Sequence, residues 1–246
     1  MQDERFLEAA RGLSRSSHAV ALTGAGISVE SGIPDFRSAG GLWSRFDPME
    51  YGHIESFRAN PAKVWKMLIQ MDALLTGARF NPAHRALALL EERRILKAVI
   101  TQNVDSLHQK AGSRKVIEYH GHNRALRCDE CGREYAREGA SLESLPPRCA
   151  CGGPMRPAFV FFGEMIPEEA REEAAREARQ CDLLLVVGTS ASVAPASLLP
   201  VIAREGGAFI VEINPGETGL GAGMVDLRIN EAAGRALPAI LALMAD

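Results

Sequence analysis

Four of the five cysteines lie close together in the sequence and could bind a metal ion. They form one Cys-x-x-Cys pair and, seventeen residues later, one Cys-x-Cys pair: Cys128, Cys131, Cys149 and Cys151. Two cysteine pairs at such a separation are typical of zinc ribbons, and four thiolates complete the tetrahedral shell of a structural zinc ion. The pattern therefore predicts a zinc site without an open coordination position. Because the second pair has a single intervening residue, a degenerate site without metal and a redox pair stay open as alternatives.

A glycine-rich stretch, TGAGISVESGIPDFRS (residues 23–38), follows an apolar run and could bind a phosphate. Gly24 and Gly26 match the first two glycines of the fingerprint G-x-G-x-x-G, but Val29 occupies the third position. Glycines after a strand let backbone N–H groups approach a phosphate closely. A lone G-x-G is weak evidence, since a tight turn without a ligand explains it equally well. On their own, Asp35 and Arg37 would be interpreted as a surface ion pair.

Four short apolar segments lead into most of the polar residues that could act on a substrate. They cover residues 18–26, 96–108, 182–193 and 208–216, and helix-length amphipathic sequence separates them. This alternation predicts an α/β fold, a Rossmann-like parallel sheet with helices on both faces. Ligands bind at the carboxyl ends of such strands. The polar residues expected to meet there are Gln102, Asn103, Asp105, Thr189, Ser190 and Asn214.

Two segments interrupt this alternation. Residues 39–92 have mostly helical patterns, with Asn60-Pro61 and Asn81-Pro82 as helix starts, and residues 121–158 contain the four cysteines. We interpret residues 1–246 as one domain, in which 39–92 form a helical insertion and 121–158 a zinc-ribbon module. Together these two segments are expected to make a smaller domain beside the sheet.

The composition excludes several classes of protein. The 28 basic and 31 acidic residues give a net charge of -3, so nothing in the overall charge predicts direct binding to nucleic acid. The N-terminal segment has the spacing of an amphipathic helix and does not resemble a signal peptide. The longest strongly apolar run, residues 183–187, is too short to span a bilayer. We therefore expect a cytoplasmic protein that does not associate with membranes.

Five motifs, in order along the chain, resemble those of the sirtuins, the NAD-dependent protein deacylases. Besides the glycine-rich stretch they are TQNVDSLH (101–108), YHGH (119–122), FFGEMIP (161–167) and GTSASVAPAS (188–197). The cysteine pairs lie between the His-Gly and Phe-Gly-Glu motifs, as they do in that family. The resemblance covers about residues 6–240 and is closest to the bacterial or archaeal type with a catalytic core alone. It implies removal of acetyl groups, and of other uncharged acyl groups, from protein lysines with NAD as co-substrate, giving nicotinamide and O-acyl-ADP-ribose.

The resemblance also implies roles for individual residues. His120 would be the general base that activates a ribose hydroxyl, and Asn103 would position the ribose and a water molecule. Phe36 would shield the reacting carbon from water, while Arg37 would help to hold the cofactor for cleavage. The residues implied in NAD binding are Gly24, Ala25, Gly26, Ser28, Pro34, Asp35, Phe36, Arg37, Gln102, Asn103, Asp105, Gly188, Thr189, Ser190, Asn214, Pro215, Gly216, Ala232 and Ala233.

An acetylated protein or peptide is the partner that the resemblance implies. The peptide would lie as a strand between residues 162–164 and the loop around Val193, with main-chain pairing. The residues implied in this binding are Val160, Phe162, Gly163, Glu164 and Val193. Sirtuins that remove succinyl groups have a Tyr-x-x-Arg pair on the helix lining the acyl channel. At the two corresponding positions this sequence has Leu68 and Met71. Both side chains are apolar, which favours uncharged acyl groups.

Two other functions remain open from the sequence. One is a mono-ADP-ribosyltransferase that uses the same cleavage of NAD with a different acceptor. The other is an NAD-binding or zinc-binding module without catalytic activity. The second is disfavoured because Asn103, Asp105 and His120 are all present, and a binding module does not need them.

Overall fold

The strands of the protein form two sheets. The computed structural model describes residues 2–35, 41, 44–221 and 223–244. In this part of the chain the strands are β1 (Ala19–Thr23), β2 (Leu96–Thr101), β3 (Val116–Glu118), β4 (Gly121–Cys128), β5 (Glu134–Ala136), β6 (Met155–Phe159), β7 (Leu183–Val187), β8 (Phe209–Ile213) and β9 (Leu227–Ile229). The helices are α1 (Gln2–Arg15), α2 (Pro48–Tyr51), α3 (Ile54–Ala59), α4 (Pro61–Gly77), α5 (Pro82–Glu92), α6 (Leu107–Ala111), α7 (Glu168–Gln180), α8 (Leu199–Glu205) and α9 (Ala233–Ala242).

The larger sheet has six parallel strands in the order β3-β2-β1-β7-β8-β9. Strands β1 and β7 lie at its centre, and every residue of both is buried. Their sequences, AVALT and LLLVV, are nearly continuous apolar runs because helices cover both faces of the sheet. The four strands predicted from the sequence are therefore confirmed. The short edge strands β3 and β9, three residues each, were not predicted.

Two hydrophobic cores fill the faces of the larger sheet. Helices α1, α5 and α9 pack on one face, around buried residues such as Leu13, Leu87 and Leu237. Helices α7 and α8 cover the other face, around Ala178 and Leu199. Helix α5 lies within the predicted insertion 39–92, yet its apolar side chains belong to the core of the larger sheet.

The smaller sheet is antiparallel and has the strand order β5-β4-β6. Helices α3 and α4 pack with it around a third core that includes Phe57, Trp65, Leu126 and Phe161. The Trp65 indole donates a hydrogen bond of 2.9 Å to the carbonyl of Met155, which ties α4 to β6. This architecture confirms the predicted fold class, while the division of the chain into domains stays a prediction. No helix in the described ranges is long and apolar enough to cross a membrane.

Candidate active site

The glycine-rich turn begins where β1 ends at Thr23. Gly24 donates a backbone hydrogen bond of 3.1 Å to Val187, and Gly26 donates one of 2.8 Å to Gly188. A Cβ on Gly26 would lie 2.7 Å from the Cα of Gly188, so the two backbone turns cross in contact. The glycines thus admit a close crossing of the loops after β1 and β7. Two of the N–H groups that were predicted to approach phosphates are already bonded to carbonyls.

Three polar side chains predicted to act on the cofactor meet just past the ends of β1 and β2. The Asn103 side-chain amide donates to Ser28 Oγ at 3.1 Å and to the carbonyl of Gly24 at 3.2 Å. Ser28 in turn donates to Asp105 Oδ2 at 2.7 Å, and Asp105 Oδ1 accepts from the N–H of Leu107 at 2.9 Å. All three side chains are buried. The network fixes the orientation of the Asn103 amide and of the Asp105 carboxylate.

A cavity of about 60 Å³ opens beside these side chains. Helix α4 supplies one wall through Met71, Leu74 and Leu75, and most of the other lining residues were predicted to bind the cofactor. The lining residues are Ala25, Ser28, Ile33, Pro34, Met71, Leu74, Leu75, Gln102, Asn103, Val104 and Asp105. Asp35, which follows Pro34, is half-buried. Phe36 and Arg37, predicted at the nicotinamide-ribose end, lie outside the described residues.

His120 lies at the same edge of the larger sheet, two residues after the end of β3. Its Nδ1 is 3.0 Å from the carbonyl oxygen of Gln102, and its own carbonyl accepts from the N–H of Val160 at 2.9 Å. Burial lowers the pKa of His120, and the hydrogen bond to Gln102 opposes this effect only partly. The structure thus brings His120, Gln102 and the predicted substrate residue Val160 together.

Two buried histidines beneath the site were not predicted to contribute to it. His84 Nε2 lies 3.5 Å from Ser28 Oγ, and His108 Nε2 lies 2.9 Å from Thr23 Oγ1. Their rings meet edge to face with centroids 4.9 Å apart. Burial lowers the pKa of His84 to about 4 and holds the pKa of His108 well below its usual value. Tertiary packing thus makes both histidines part of the polar layer below the cavity.

The remaining residues implied in NAD binding follow the ends of β7, β8 and β9. Gln102 Nε2 donates to Thr189 Oγ1 at 2.9 Å, and Asn214 Nδ2 donates to the Thr189 carbonyl at 3.2 Å. Thr189 therefore connects the loops after β2 and β8. Ala232 and Ala233 mark the start of α9, where the next N–H, of Gly234, donates to the Glu30 carboxylate at 2.7 Å. Pro215 and Gly216 are exposed in the turn after Asn214.

The predicted peptide-binding residues differ in how much they present to the surface. Phe162 is 40% exposed and Gly163 is exposed beside it. The N–H of Phe162 donates to the Gly52 carbonyl at 2.9 Å, and its carbonyl accepts from Ile54 at 3.0 Å. Main-chain groups of Phe162 are thus used within the protein. Val193, on a separate loop, is half-buried.

The four cysteines predicted to bind zinc converge, with all four Sγ atoms within 4.8 Å of one another. The Sγ atoms of Cys128 and Cys151 are 3.5 Å apart, and those of Cys131 and Cys149 are 3.6 Å apart. Sulfur ligands of a tetrahedral zinc ion are separated by about 3.8 Å, given a Zn–S distance of about 2.3 Å. All four are free thiols. The donor set and its spacing therefore fit one structural zinc ion.

Comparisons with known proteins agree with this geometry. A sequence model of the Sir2 family matches residues 24–195. The NAD-dependent protein deacylase of Aeropyrum pernix is 47% identical over 228 residues, which is 92% of each chain. A Sir2 homologue solved as an NAD complex is 42% identical, with a TM-score of 0.90 over 96% of this chain and 92% of that one. A Sir2 variant solved with a deacetylated p53 peptide and 3'-O-acetyl ADP-ribose is 36% identical, with a TM-score of 0.91 over 98% of both chains.

Proposed function

The chain belongs to the Sir2 family and is an NAD-dependent protein deacylase, and we propose that it removes acetyl and other uncharged acyl groups from lysine side chains. The products on this proposal are free lysine, nicotinamide and O-acyl-ADP-ribose. The observation that carries the proposal is the buried Asn103–Ser28–Asp105 network, which lines a cavity at the same sheet edge as His120.

NAD, when bound, supplies a ribose carbon from which nicotinamide leaves as the acyl oxygen attacks. The Asn103 amide nitrogen donates both of its described hydrogen bonds to protein groups. Its Oδ1 is therefore the atom that can accept a hydrogen bond from a ribose hydroxyl or a water molecule. Asp105 is held by Ser28 and Leu107, and we assign it to the carboxamide of nicotinamide. Both side chains are oriented before the substrate arrives, which lowers the cost of positioning it.

His120 carries the proton transfer in this proposal. A carbonyl oxygen can only accept, so the Nδ1 of His120 must donate to Gln102 and the neutral ring has its lone pair on Nε2. Because burial lowers the pKa of the ring, it is neutral at cellular pH and ready to accept a proton from a ribose hydroxyl. The fixed Nδ1 donor leaves one nitrogen, Nε2, for this task.

The acylated peptide is assigned to the surface between Gly163 and the loop of Val193. Gly163 is exposed, and Val160, three residues earlier, donates its N–H to the carbonyl of His120, so a lysine entering here would approach His120. The Sir2 variant solved with a deacetylated peptide supports a peptide substrate. Main-chain pairing gives affinity with little selection of side chains.

The acyl preference follows from the wall of the cavity that α4 provides. Met71 lines the cavity as expected, but Leu68 is 2% exposed and packs in the core of the smaller domain. Among the described lining residues the charged side chain is Asp105, an anion, and no cation faces the cavity. An acyl group with its own carboxylate would therefore be desolvated without a partner, whereas an acetyl group would not.

One assay separates this proposal from its alternatives. The protein is mixed with an acetyl-lysine peptide, with and without NAD, and peptide and nicotinamide are followed by mass spectrometry. Deacetylation that requires NAD supports the proposal. Release of nicotinamide without deacetylation would indicate ADP-ribosyl transfer, and no change in either would indicate a binding module.

A further inference from the structure

Arg156, on β6, is a fully buried arginine outside the catalytic site. Its side chain is 1% exposed. A buried guanidinium is costly unless its donors are all matched by acceptors. Here each of its three nitrogen atoms donates a hydrogen bond, to Asp129, to the carbonyl of Phe159 and to Glu164, and the guanidinium also lies over the ring of Phe161, 5.2 Å from its centroid.

One acceptor belongs to the cysteine knuckle. Arg156 Nε donates to Asp129 Oδ1 at 3.0 Å, and Asp129 stands between the zinc-binding positions Cys128 and Cys131. The N–H of Asp129 also donates to the carbonyl of Pro154 at 3.0 Å. The position of the guanidinium is therefore set by the backbone that carries the first cysteine pair.

A second acceptor belongs to the loop assigned to the peptide. Arg156 Nη2 donates to Glu164 Oε1, while Glu164 Oε2 accepts from the N–H of Phe161 at 2.9 Å. The N–H of Glu164 returns a bond of 3.1 Å to the carbonyl of Phe161. Glu164 is thus turned inward, with its side chain 15% exposed, and it closes a tight turn over residues 161–164. Its role as a contact of the peptide stays a prediction.

The turn that Glu164 closes presents exposed Phe162 and Gly163 at its outer side. Gly163 has φ 84°, and a Cβ there would lie 2.6 Å from His53 Nε2, so the turn requires glycine at this position. Because Glu164 is bonded to Phe161 at the other end of the turn, a displacement of Glu164 would move the backbone between them.

We propose that Arg156 is a positioning residue that couples the cysteine knuckle to the peptide-binding turn 161–164. This proposal rests on the proposed function. Arg156 holds Glu164, Glu164 holds the turn, and Asp129 holds Arg156 in place. A lysine cannot replace it, because an ammonium is a point charge whereas the planar guanidinium reaches Asp129, Phe159 and Glu164 together.

The structure offers two matched controls. Arg127 lies opposite Arg156 on β4 and approaches Glu164 Oε1 at 3.5 Å, but its side chain is 41% exposed. Arg58 approaches Asp129 Oδ2 at 3.2 Å from the surface, with its side chain 53% exposed. Exposed ion pairs contribute little, so Arg127→Gln and Arg58→Gln should leave peptide binding nearly unchanged.

The test measures the KM for an acetyl-lysine peptide, the KM for NAD and kcat for Asp129→Asn, Arg156→Lys and both controls, with zinc content determined for each. Asp129→Asn keeps the shape of the side chain and should fold even if Arg156→Lys does not. We expect Asp129→Asn to raise the peptide KM about three- to tenfold, because the amide oxygen can still accept from Arg156 but no longer carries the charge that strengthens the bond. The KM for NAD and kcat should stay within about twofold.

A double-mutant cycle gives the sharper result. If Asp129 acts on the turn through Arg156, the effect of Asp129→Asn on the peptide KM should shrink in a Glu164→Gln background. Additive effects, an unchanged peptide KM, or equal losses in kcat and both KM values would overturn the proposal. If the wild type itself fails to deacetylate the peptide, the proposed function fails, and that result is distinct from each of these.

Discussion

The Nδ1 atom of His120 lies 3.0 Å from the carbonyl oxygen of Gln102. Because Gln102 immediately precedes Asn103, this bond links the proposed base to the loop that contains Asn103. The N–H of Gln102 also donates to the carbonyl of Thr23 at 2.9 Å. The ring is thereby fixed to the end of the central strands. A single loop, residues 102–105, thus sets both the cavity wall and the orientation of the base.

We predict that His120→Ala loses nearly all deacylation while still binding NAD. The substitution removes the proposed proton acceptor but leaves Asn103, Ser28 and Asp105 with all of their described hydrogen bonds. General base catalysis typically contributes about 10²- to 10⁴-fold, so kcat should fall by about that factor. Steady-state kinetics and calorimetric titration with NAD measure the two effects. Deacylation at the wild-type rate would show that His120 is not the base.

Acid should destabilise the fold through the buried His84. Burial lowers the pKa of His84 to about 4, so between its unfolded value of about 6.5 and about 4 the unfolded chain binds a proton that the folded chain does not. The free energy of unfolding therefore rises with pH across this window. For His84 the loss is about 2 kcal/mol between about pH 7.5 and pH 5.

Urea unfolding at these two pH values measures this loss, and His84→Gln is the control. The variant keeps the zinc site, so any acid release of zinc affects both proteins alike. The difference between the two pH values should be smaller in His84→Gln than in the wild type. An equal difference in both proteins would show that His84 is not the group responsible.

Removal of zinc should unfold the smaller domain. We expect one zinc ion per chain, bound by Cys128, Cys131, Cys149 and Cys151, because their Sγ atoms converge within 4.8 Å. Binding of a structural zinc ion contributes directly to the free energy of folding. Elemental analysis and thermal unfolding, before and after chelation, measure both effects.

The fifth cysteine provides the control for the zinc prediction. Cys181 is buried outside the cluster, so Cys181→Ala should keep its zinc, whereas Cys149→Ser should lose it. Freshly purified, reduced protein without stoichiometric zinc would contradict the assignment.

Acetyl peptides should be better substrates than succinyl peptides. The wall from α4 is apolar at Met71, Leu74 and Leu75, and the described lining residues include no cation that could pair with a succinyl carboxylate. We expect kcat/KM to be at least about tenfold higher for acetyl-lysine than for succinyl-lysine in matched peptides, since an unpaired buried charge costs well over 1.4 kcal/mol. Met71→Arg should shift the ratio toward succinyl, and Met71→Leu should not. A succinyl value equal to the acetyl value in the wild type would mean that the acyl group lies elsewhere.

Much of the site was predictable because it depends on short motifs at strand ends. The apolar runs located β1, β2, β7 and β8, and the carboxyl ends of parallel strands must share one edge of the sheet, so Gln102, Asn103 and Asp105 had to meet the glycine turn. The cysteine spacing likewise predicted the cluster that the structure contains.

Other features depended on contacts between distant segments. His84 forms a capping box with Asn81 at the start of α5, which is a local signal. That signal did not predict the contact between His84 and Ser28, which lies fifty-six residues earlier in the sequence. The inward turn of Glu164 depends on Arg156, and the sequence motif alone did not distinguish a carboxylate that binds a peptide from one that holds a loop. Buried polar partners of this kind are set by tertiary packing, which no periodicity in the sequence reports.

Quantifying the co-products decides whether the protein deacetylates lysine at the expense of NAD. An acetyl-lysine peptide, NAD and the protein are incubated, and all products are quantified by mass spectrometry. We expect one nicotinamide and one acetyl-ADP-ribose for each lysine freed, and in His120→Ala these products should form only at the residual rate of that variant. Free acetate formed while NAD stays intact, or ADP-ribose attached to protein with the peptide still acetylated, would contradict this expectation.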